Sequence, residues 1–146
     1  MRALIQRVTE ASVEVEGVCV GAIHRGLLVL LGVDKHDSEE TALRMIDKLL
    51  AYRVFPDDEG KMNCSVTDIA GELLIVSQFT LSADTKKGLR PSFSSAAAPE
   101  LAERLYNFVV NEVEGKLGNV ASGVFGADMK VRLLNDGPVT FLLEIN

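Results

Sequence analysis

Two short, uninterrupted runs of apolar residues constrain the fold of this chain more than any other feature. The first run covers residues 27–33 and the second covers residues 73–76. Both are far shorter than the roughly 20 residues that a membrane-spanning helix needs. A run of this length between turn signals is typical of a strand that is covered by other elements. We therefore predict two buried strands.

The second run ends in polar residues where the apolar pattern should continue. Ser77 and Gln78 follow it directly, and Thr80 comes two residues later. Buried polar groups need hydrogen-bond partners. These side chains therefore either form hydrogen bonds with backbone groups at the end of a buried strand or belong to a binding site. Phe79, which lies between them, is equally compatible with the hydrophobic core.

A segment near the C-terminus, residues 135–140 (Asn-Asp-Gly-Pro-Val-Thr), has unusual backbone requirements. Gly137 permits backbone angles that are closed to other residues. Pro138 allows a cis peptide bond at a cost of about 0.5 to 1 kcal/mol. Together with residues 77–81, this segment indicates a site that is built from backbone groups.

The composition is ordinary for one soluble globular domain. A chain of 146 residues buries roughly 68 to 70% of its unfolded surface, so one domain over residues 1–146 is expected. The first residues contain Arg2 and Arg7 and no apolar segment that would direct secretion, which predicts a cytoplasmic location. Cys19 and Cys64 lack the spacing of a disulfide framework or a zinc site. We expect them to be small buried hydrophobes, and we expect no metal.

The predicted strands occupy both ends of the chain. Strand-like residues fill 4–8 and 13–15, and the turn at Glu16-Gly17 before residues 18–23 predicts a hairpin. Residues 129–133 alternate between apolar and polar, and 141–145 form a last apolar strand after a turn at Gly137-Pro138.

Two helices are predicted between these strands. Asp37 and Glu40 have the spacing of a capping box, and this first helix should end near Arg53. The second helix should start at Pro99 and stop at Gly115. Runs of strands with two separated helices indicate an α+β fold rather than an alternating βαβ array.

The net charge of −6 argues against a typical nucleic-acid-binding protein, because phosphate contacts usually come from Lys and Arg. Charge alone favours an enzyme that acts on a small molecule. Lys86, Lys87 and Arg90 nevertheless follow residues 77–81 closely enough to flank one site. The alternative is that they belong to an ordinary solvated loop.

The chain has no evident general base for a hydrolase. His24 and His36 are its only histidines, and each lies beside a predicted turn, where surface loop residues are common. Without a base, the hydroxyl of Ser77 or Thr80 is a poor nucleophile at neutral pH. A Ser-His-Asp triad is therefore not expected.

Four segments in this order resemble the D-aminoacyl-tRNA deacylases, first described as D-tyrosyl-tRNA deacylases. They are residues 4–8 (Leu-Ile-Gln-Arg-Val), 77–81 (Ser-Gln-Phe-Thr-Leu), 88–93 (Gly-Leu-Arg-Pro-Ser-Phe) and 135–140. The resemblance covers the whole chain. It implies a homodimeric α+β fold of layered β-sheets with two main helices, in a β/β/α arrangement. It also implies a hydrolase without cofactor that removes D-amino acids, and glycine, from tRNA and spares L-aminoacyl-tRNA.

The resemblance implies a route in which the substrate assists its own cleavage. The ester between the amino acid and the terminal ribose is activated, and the adjacent 2'-hydroxyl can help. The backbone N–H groups of Phe79 and Thr80 are the expected oxyanion donors, and Ser77 and Gln78 would hold the ester and ribose. The phosphates of the acceptor end would be bound by Lys86, Lys87 and Arg90, for which a solvated loop is the alternative.

The resemblance also implies how chirality is read. In the family the dipeptide that matches Gly137-Pro138 is cis and reaches into the partner subunit's pocket, and Arg7 matches its anchor. An enzyme that accepts many D side chains must read the α-carbon itself, so we expect the backbone carbonyls of this dipeptide to grasp the α-ammonium of the substrate. Phe125 and Met129 line the pocket, although each is also compatible with the core. Two other functions stay open: a binding module for tRNA ends or small molecules without turnover, and a serine or threonine hydrolase of small esters with a covalent intermediate.

Overall fold

The computed structural model describes all residues, 1–146, and has the predicted α+β composition. Its helices are α1 (Glu39–Ala51) and α2 (Pro99–Leu117), and a short 3-10 helix covers Phe79–Ser82. Its strands are β1 (Arg2–Val15), β2 (Val18–Ile23), β3 (Gly26–Gly32), β4 (Phe55–Pro56), β5 (Met62–Cys64), β6 (Glu72–Ser77), β7 (Val120–Ser122) and β8 (Lys130–Glu144). Neither helix is long and apolar enough to cross a membrane.

The main sheet is organised around β1, which is hydrogen-bonded along both edges. One edge pairs with β3 through residues 2–8 and with β2 through residues 11–15. The other edge pairs with β8 along residues 2–14. Beyond β3 the sheet continues through the parallel strands β6 and β7. It nearly closes, because a Cβ atom built on Gly21 of β2 would lie 2.7 Å from the carbonyl oxygen of Ser122 in β7.

The two apolar runs form β3 and β6 at the centre of this sheet, as predicted. Leu27, Val29 and Leu31 pack with both helices in the larger core cluster. Leu28 packs with Leu74 in a second cluster. Because successive side chains point to opposite faces of a strand, the two clusters lie on opposite faces of β3. Both faces are covered, which explains why neither run alternates with polar residues.

The start of α1 differs from the sequence prediction. Ser38 is the N-cap residue; its hydroxyl accepts a hydrogen bond from the backbone N–H of Thr41, whose hydroxyl accepts one from the Ser38 N–H. The predicted capping box of Asp37 and Glu40 is therefore wrong. The carboxylate of Asp37 instead accepts a hydrogen bond from the amino group of Met1 at 2.8 Å. Asp37 thus pairs with a group that is distant in sequence and does not cap the helix, as the local pattern predicted it would.

Helix α2 begins at Pro99, as predicted, but continues past Gly115 to Leu117. The predicted end is wrong because the backbone of Gly118, with φ of 84°, terminates the helix. Gly115 is an exposed residue within the last helical turns.

The C-terminal strand is continuous, so the predicted turn at Gly137-Pro138 does not separate two strands. Both halves of β8 pair with the same edge of β1: Gln6 faces Thr140, and Val8 faces Asn135. Residues 136–139 therefore bulge out opposite Arg7. We call residues 136–139 the β8 bulge.

The two cysteines are free thiols. Cys19 is exposed and Cys64 is half-buried, so their predicted burial is wrong. Cys19 lies at the start of β2, next to the turn of the hairpin, where Val18 and Val20 are exposed as well. The hairpin end therefore extends beyond the covered part of the sheet.

Gly115→Ala should raise the free energy of unfolding by about 0.5 to 1 kcal/mol, since alanine is the better helix former. A Cβ atom at residue 115 would have no neighbour within 4 Å. The matched variant Gly26→Ala should lower stability, because its Cβ atom would lie 1.8 Å from the carbonyl oxygen of Glu72. Urea unfolding of both variants measures the two changes. A less stable Gly115→Ala protein would contradict the continuation of α2 through residue 115.

Candidate active site

A cavity of about 490 Å³ opens where β6 ends. Its walls come from the end of β6, the start of the 3-10 helix, the start of α2 and the segment that joins β7 to β8. The volume lies in the range of small-molecule sites. The thirteen lining residues are Val76, Ser77, Gln78, Phe79, Ala97, Pro99, Ala102, Phe125, Gly126, Ala127, Asp128, Met129 and Val131.

The polar segment after β6 forms the edge of this cavity. The backbone N–H of Gln78 donates to the carbonyl of Leu31 at 2.8 Å, and its side-chain amide donates to the hydroxyl of Thr80. Phe79 and Thr80 are the first residues of the 3-10 helix, and their N–H groups make no hydrogen bond within the chain. Phe79 is 60% exposed, so it is not a core residue. Thr80 lies beside the cavity and does not line it.

The far end of the 3-10 helix is tied to the rest of the fold. The guanidinium of Arg2 donates to the carbonyl of Leu81 at 3.0 Å. The buried hydroxyl of Ser82 donates to the carbonyl of Val33 at 3.3 Å, and the hydroxyl of Ser95 donates to the carbonyl of Ser82. These bonds fix the segment that carries the two unpaired N–H groups.

The apolar wall contains both hydrophobic residues that the sequence singled out. Phe125 and Met129 are half-buried, and both line the cavity. Phe125 packs on the ring of Tyr106, with ring centroids 6.1 Å apart. The Tyr106 hydroxyl donates to the carbonyl of Ile75 at 2.8 Å. Sequence reasoning missed Tyr106, since nothing distinguishes it from the other core residues of α2.

Ionisable groups are scarce at the cavity. Burial raises the pKa of Tyr106, so its hydroxyl stays protonated at neutral pH and cannot serve as a base. Asp128 lines the cavity, yet it is exposed and paired with Lys130 at 3.2 Å. Neither His24 nor His36 lines it. The cavity thus offers hydroxyl, amide and backbone N–H groups but no histidine.

Arg7, Gly137 and Pro138 come together at the β8 bulge. The Arg7 guanidinium donates to the carbonyl of Asp136 at 2.8 Å and to that of Val54 at 2.7 Å. The Gly137-Pro138 peptide bond is cis, as expected. Both residues are exposed, and neither lines the cavity of its own chain.

The side chain of Asn135 closes the base of the bulge. Its carbonyl oxygen accepts a hydrogen bond from the N–H of Val139 at 2.8 Å, and its amide donates to the Thr140 hydroxyl at 3.0 Å. Gly137 has φ of 147°, and a Cβ atom there would lie 2.6 Å from Val139 Cγ2. The bulge therefore requires glycine at this position.

Lys86, Lys87 and Arg90 lie on an exposed loop that begins shortly after the 3-10 helix. Asp84 and Ser92 close this loop through two backbone hydrogen bonds of 2.7 and 3.0 Å. None of the three basic side chains forms an ion pair within the chain. We call residues 84–92 the basic loop.

Comparison with known proteins identifies the family. Residues 4–144 match the family model described as D-Tyr-tRNA(Tyr) deacylase. The chain belongs to this family. A D-aminoacyl-tRNA deacylase of Teredinibacter turnerae is 60% identical over 99% of each chain, and one of Cellvibrio japonicus is 56% identical over 100% of each.

Solved structures share the fold of this deacylase family member. One, described as a c-Myc DNA unwinding element binding protein, has a TM-score of 0.96 and 43% identity, and the match covers 100% of this chain and 99% of that chain. Another, described as a probable eukaryotic D-amino acid tRNA deacylase, has a TM-score of 0.85 at 20% identity, covering 99% and 98%. The latter shows likeness of fold alone.

Gly137→Ala should loosen the β8 bulge, because the new Cβ atom would also lie 2.8 Å from the backbone N of Val139. The hydrogen bond between the Val139 N–H and Asn135 should weaken, and amide exchange at Val139 should accelerate. Gly17→Ala is the control: Gly17 also has a positive φ, of 78°, but a Cβ atom there would meet nothing within 4 Å. Unchanged exchange at Val139 in Gly137→Ala would show that the bulge tolerates a side chain.

Proposed function

We propose that the chain hydrolyses the ester bond of D-aminoacyl-tRNA and of glycyl-tRNA, releasing free amino acid and tRNA. Family membership supports the reaction class and the substrate class. The observation that carries the proposal is the pair of unpaired N–H groups, of Phe79 and Thr80, beside an apolar cavity without a histidine. Such a site suits an activated ester, which needs oxyanion donors more than a strong base.

In this proposal the cavity holds the ester and the substrate supplies part of the chemistry. The ribose 2'-hydroxyl assists the reaction, and the two N–H groups stabilise the oxyanion as it develops. One well-placed donor of this kind is worth about 10² to 10³ in rate. Ser77 and Gln78 hold the ester and ribose end, and Phe125 and Met129 enclose the amino acid. No metal or other cofactor takes part, and Lys86, Lys87 and Arg90 bind acceptor-end phosphates.

Selection against L-substrates requires a second copy of the chain. Because Gly137-Pro138 lies outside its own cavity, we place it in the cavity of a partner subunit, where its carbonyls accept hydrogen bonds from the α-ammonium. Arg7 holds the bulge in position from behind. Glycine has no side chain to exclude and passes this filter.

The outer strand supports a homodimer. β8 is a 15-residue edge strand, and an exposed edge of this length invites pairing with another chain. It also exposes four large hydrophobic side chains, Leu133, Leu134, Phe141 and Leu142. The same proposal includes three further expectations. Residues 1–146 act as one domain, their elements form a layered β/β/α arrangement, and the protein is cytoplasmic.

Incubation of the purified protein with matched D-, L- and glycyl-tRNA tests this function. We expect loss of the D- and glycyl esters and survival of the L-ester, measured as free amino acid released over time. Binding without release would instead favour the alternative of a binding module for tRNA ends or small molecules. Equal loss of D- and L-esters would contradict the chiral filter.

Ser77→Ala and Thr80→Ala should weaken hydrolysis without abolishing it, because the proposed donors are backbone groups. No acyl-enzyme should accumulate, and chelators should leave the rate unchanged. Rapid quenching followed by mass spectrometry of the intact protein measures any covalent adduct. An aminoacyl adduct on either hydroxyl would falsify this mechanism and favour the serine or threonine hydrolase.

A further inference from the structure

Two aromatic side chains lie next to each other on the surface at the cavity. Phe79 is 60% exposed and Phe93 is 41% exposed, with ring centroids 5.2 Å apart and an interplanar angle of 44°. Phe79 lines the cavity, whereas Phe93 does not. The aromatic surface therefore extends beyond the cavity mouth. Packing within the chain leaves large parts of both rings uncovered.

The basic loop ends next to this aromatic pair. Its closing residue, Ser92, directly precedes Phe93. Lys86, Lys87 and Arg90 project from the loop without an acidic partner, although the whole chain carries a net charge of −6. A polyanion is thus repelled by the protein as a whole and attracted at this loop.

Exposed aromatic rings next to cations are the combination that binds single-stranded nucleic acid. Unpaired bases stack on aromatic side chains, while Lys and Arg contact the phosphates. Stacking is tolerant of sequence because every base has a π-face. A duplex end offers no splayed base for this purpose.

We propose that Phe79 and Phe93 form a stacking site for an unpaired base at the 3' end of the RNA substrate, with the basic loop on the adjoining phosphates. This inference rests on the proposed function: when the ester occupies the cavity, the nucleotide that bears it must lie at the cavity mouth. Phe93 then contributes to binding of the RNA and takes no part in the chemistry.

Binding of a fluorescent RNA hairpin with an unpaired 3' tail, compared with the same hairpin ending in a blunt duplex, tests the stacking site. Phe93→Leu, which keeps an apolar side chain but removes the ring, should weaken binding of the tailed hairpin by about 5- to 150-fold. Phe93→Tyr should retain binding, and Leu43→Ala, a change at an exposed residue of α1, should have no effect. Blunt RNA should bind weakly to all four proteins.

Hydrolysis kinetics separate this inference from the proposed function. With the tailed hairpin carrying a D-amino acid, Phe93→Leu should raise KM and leave kcat unchanged. If the wild-type protein cleaves the ester but Phe93→Leu binds tailed RNA normally, the stacking site is overturned and the proposed function stands. If the wild-type protein does not cleave the ester but Phe93→Leu weakens binding of the tailed hairpin, the proposed function fails and the stacking site stands. A change of oligomeric mass in Phe93→Leu, seen by light scattering, would assign the pair to a contact between copies and overturn the inference.

Discussion

Hydrogen bonding of β1 along both edges is the constraint on which the rest of the structure depends. One edge places β3, and through it β6, at the centre of the sheet between two apolar clusters. The end of β6 then lies beside α2 and the segment before β8, and the cavity opens between them. The other edge pairs with both halves of β8 and leaves residues 136–139 outside the ladder. Both the cavity and the β8 bulge are therefore consequences of one strand's pairing.

The bulge and the cavity edge use backbone groups in a similar way. At the bulge, pairing on both sides forces residues 136–139 outward, and Arg7 and Asn135 satisfy the displaced backbone groups. At the cavity, Arg2 and Ser82 fix the 3-10 helix and leave two N–H groups free at its other end. In the proposed mechanism these N–H groups are oxyanion donors, and donors held in this way need no rearrangement during the reaction. Side chains here serve mainly to hold backbone in place.

The sequence by itself determined the features that depend on neighbours along the chain. The apolar runs became the covered strands β3 and β6, the turn at Glu16-Gly17 joined a hairpin, and Pro99 began α2. Polar residues at the end of an apolar run indicated the cavity edge. Burying such residues without hydrogen-bond partners is costly, so their presence there predicts either a partner or a binding site. The backbone freedom of Gly137 likewise follows from residue type. For these features the physical cause lies within a few residues.

Only the tertiary structure decided the features that depend on partners distant in sequence. The carboxylate of Asp37 accepts a hydrogen bond from the amino group of Met1, and Ser38 is the N-cap residue of α1 instead. Pairing of both halves of β8 with one strand turned an expected turn into a bulge. Phe79 proved exposed while Tyr106, which carries no local signal, proved to lie behind the cavity wall. Residue type states which contacts a side chain can make, but the folded chain alone determines which competing partner is near enough to make them.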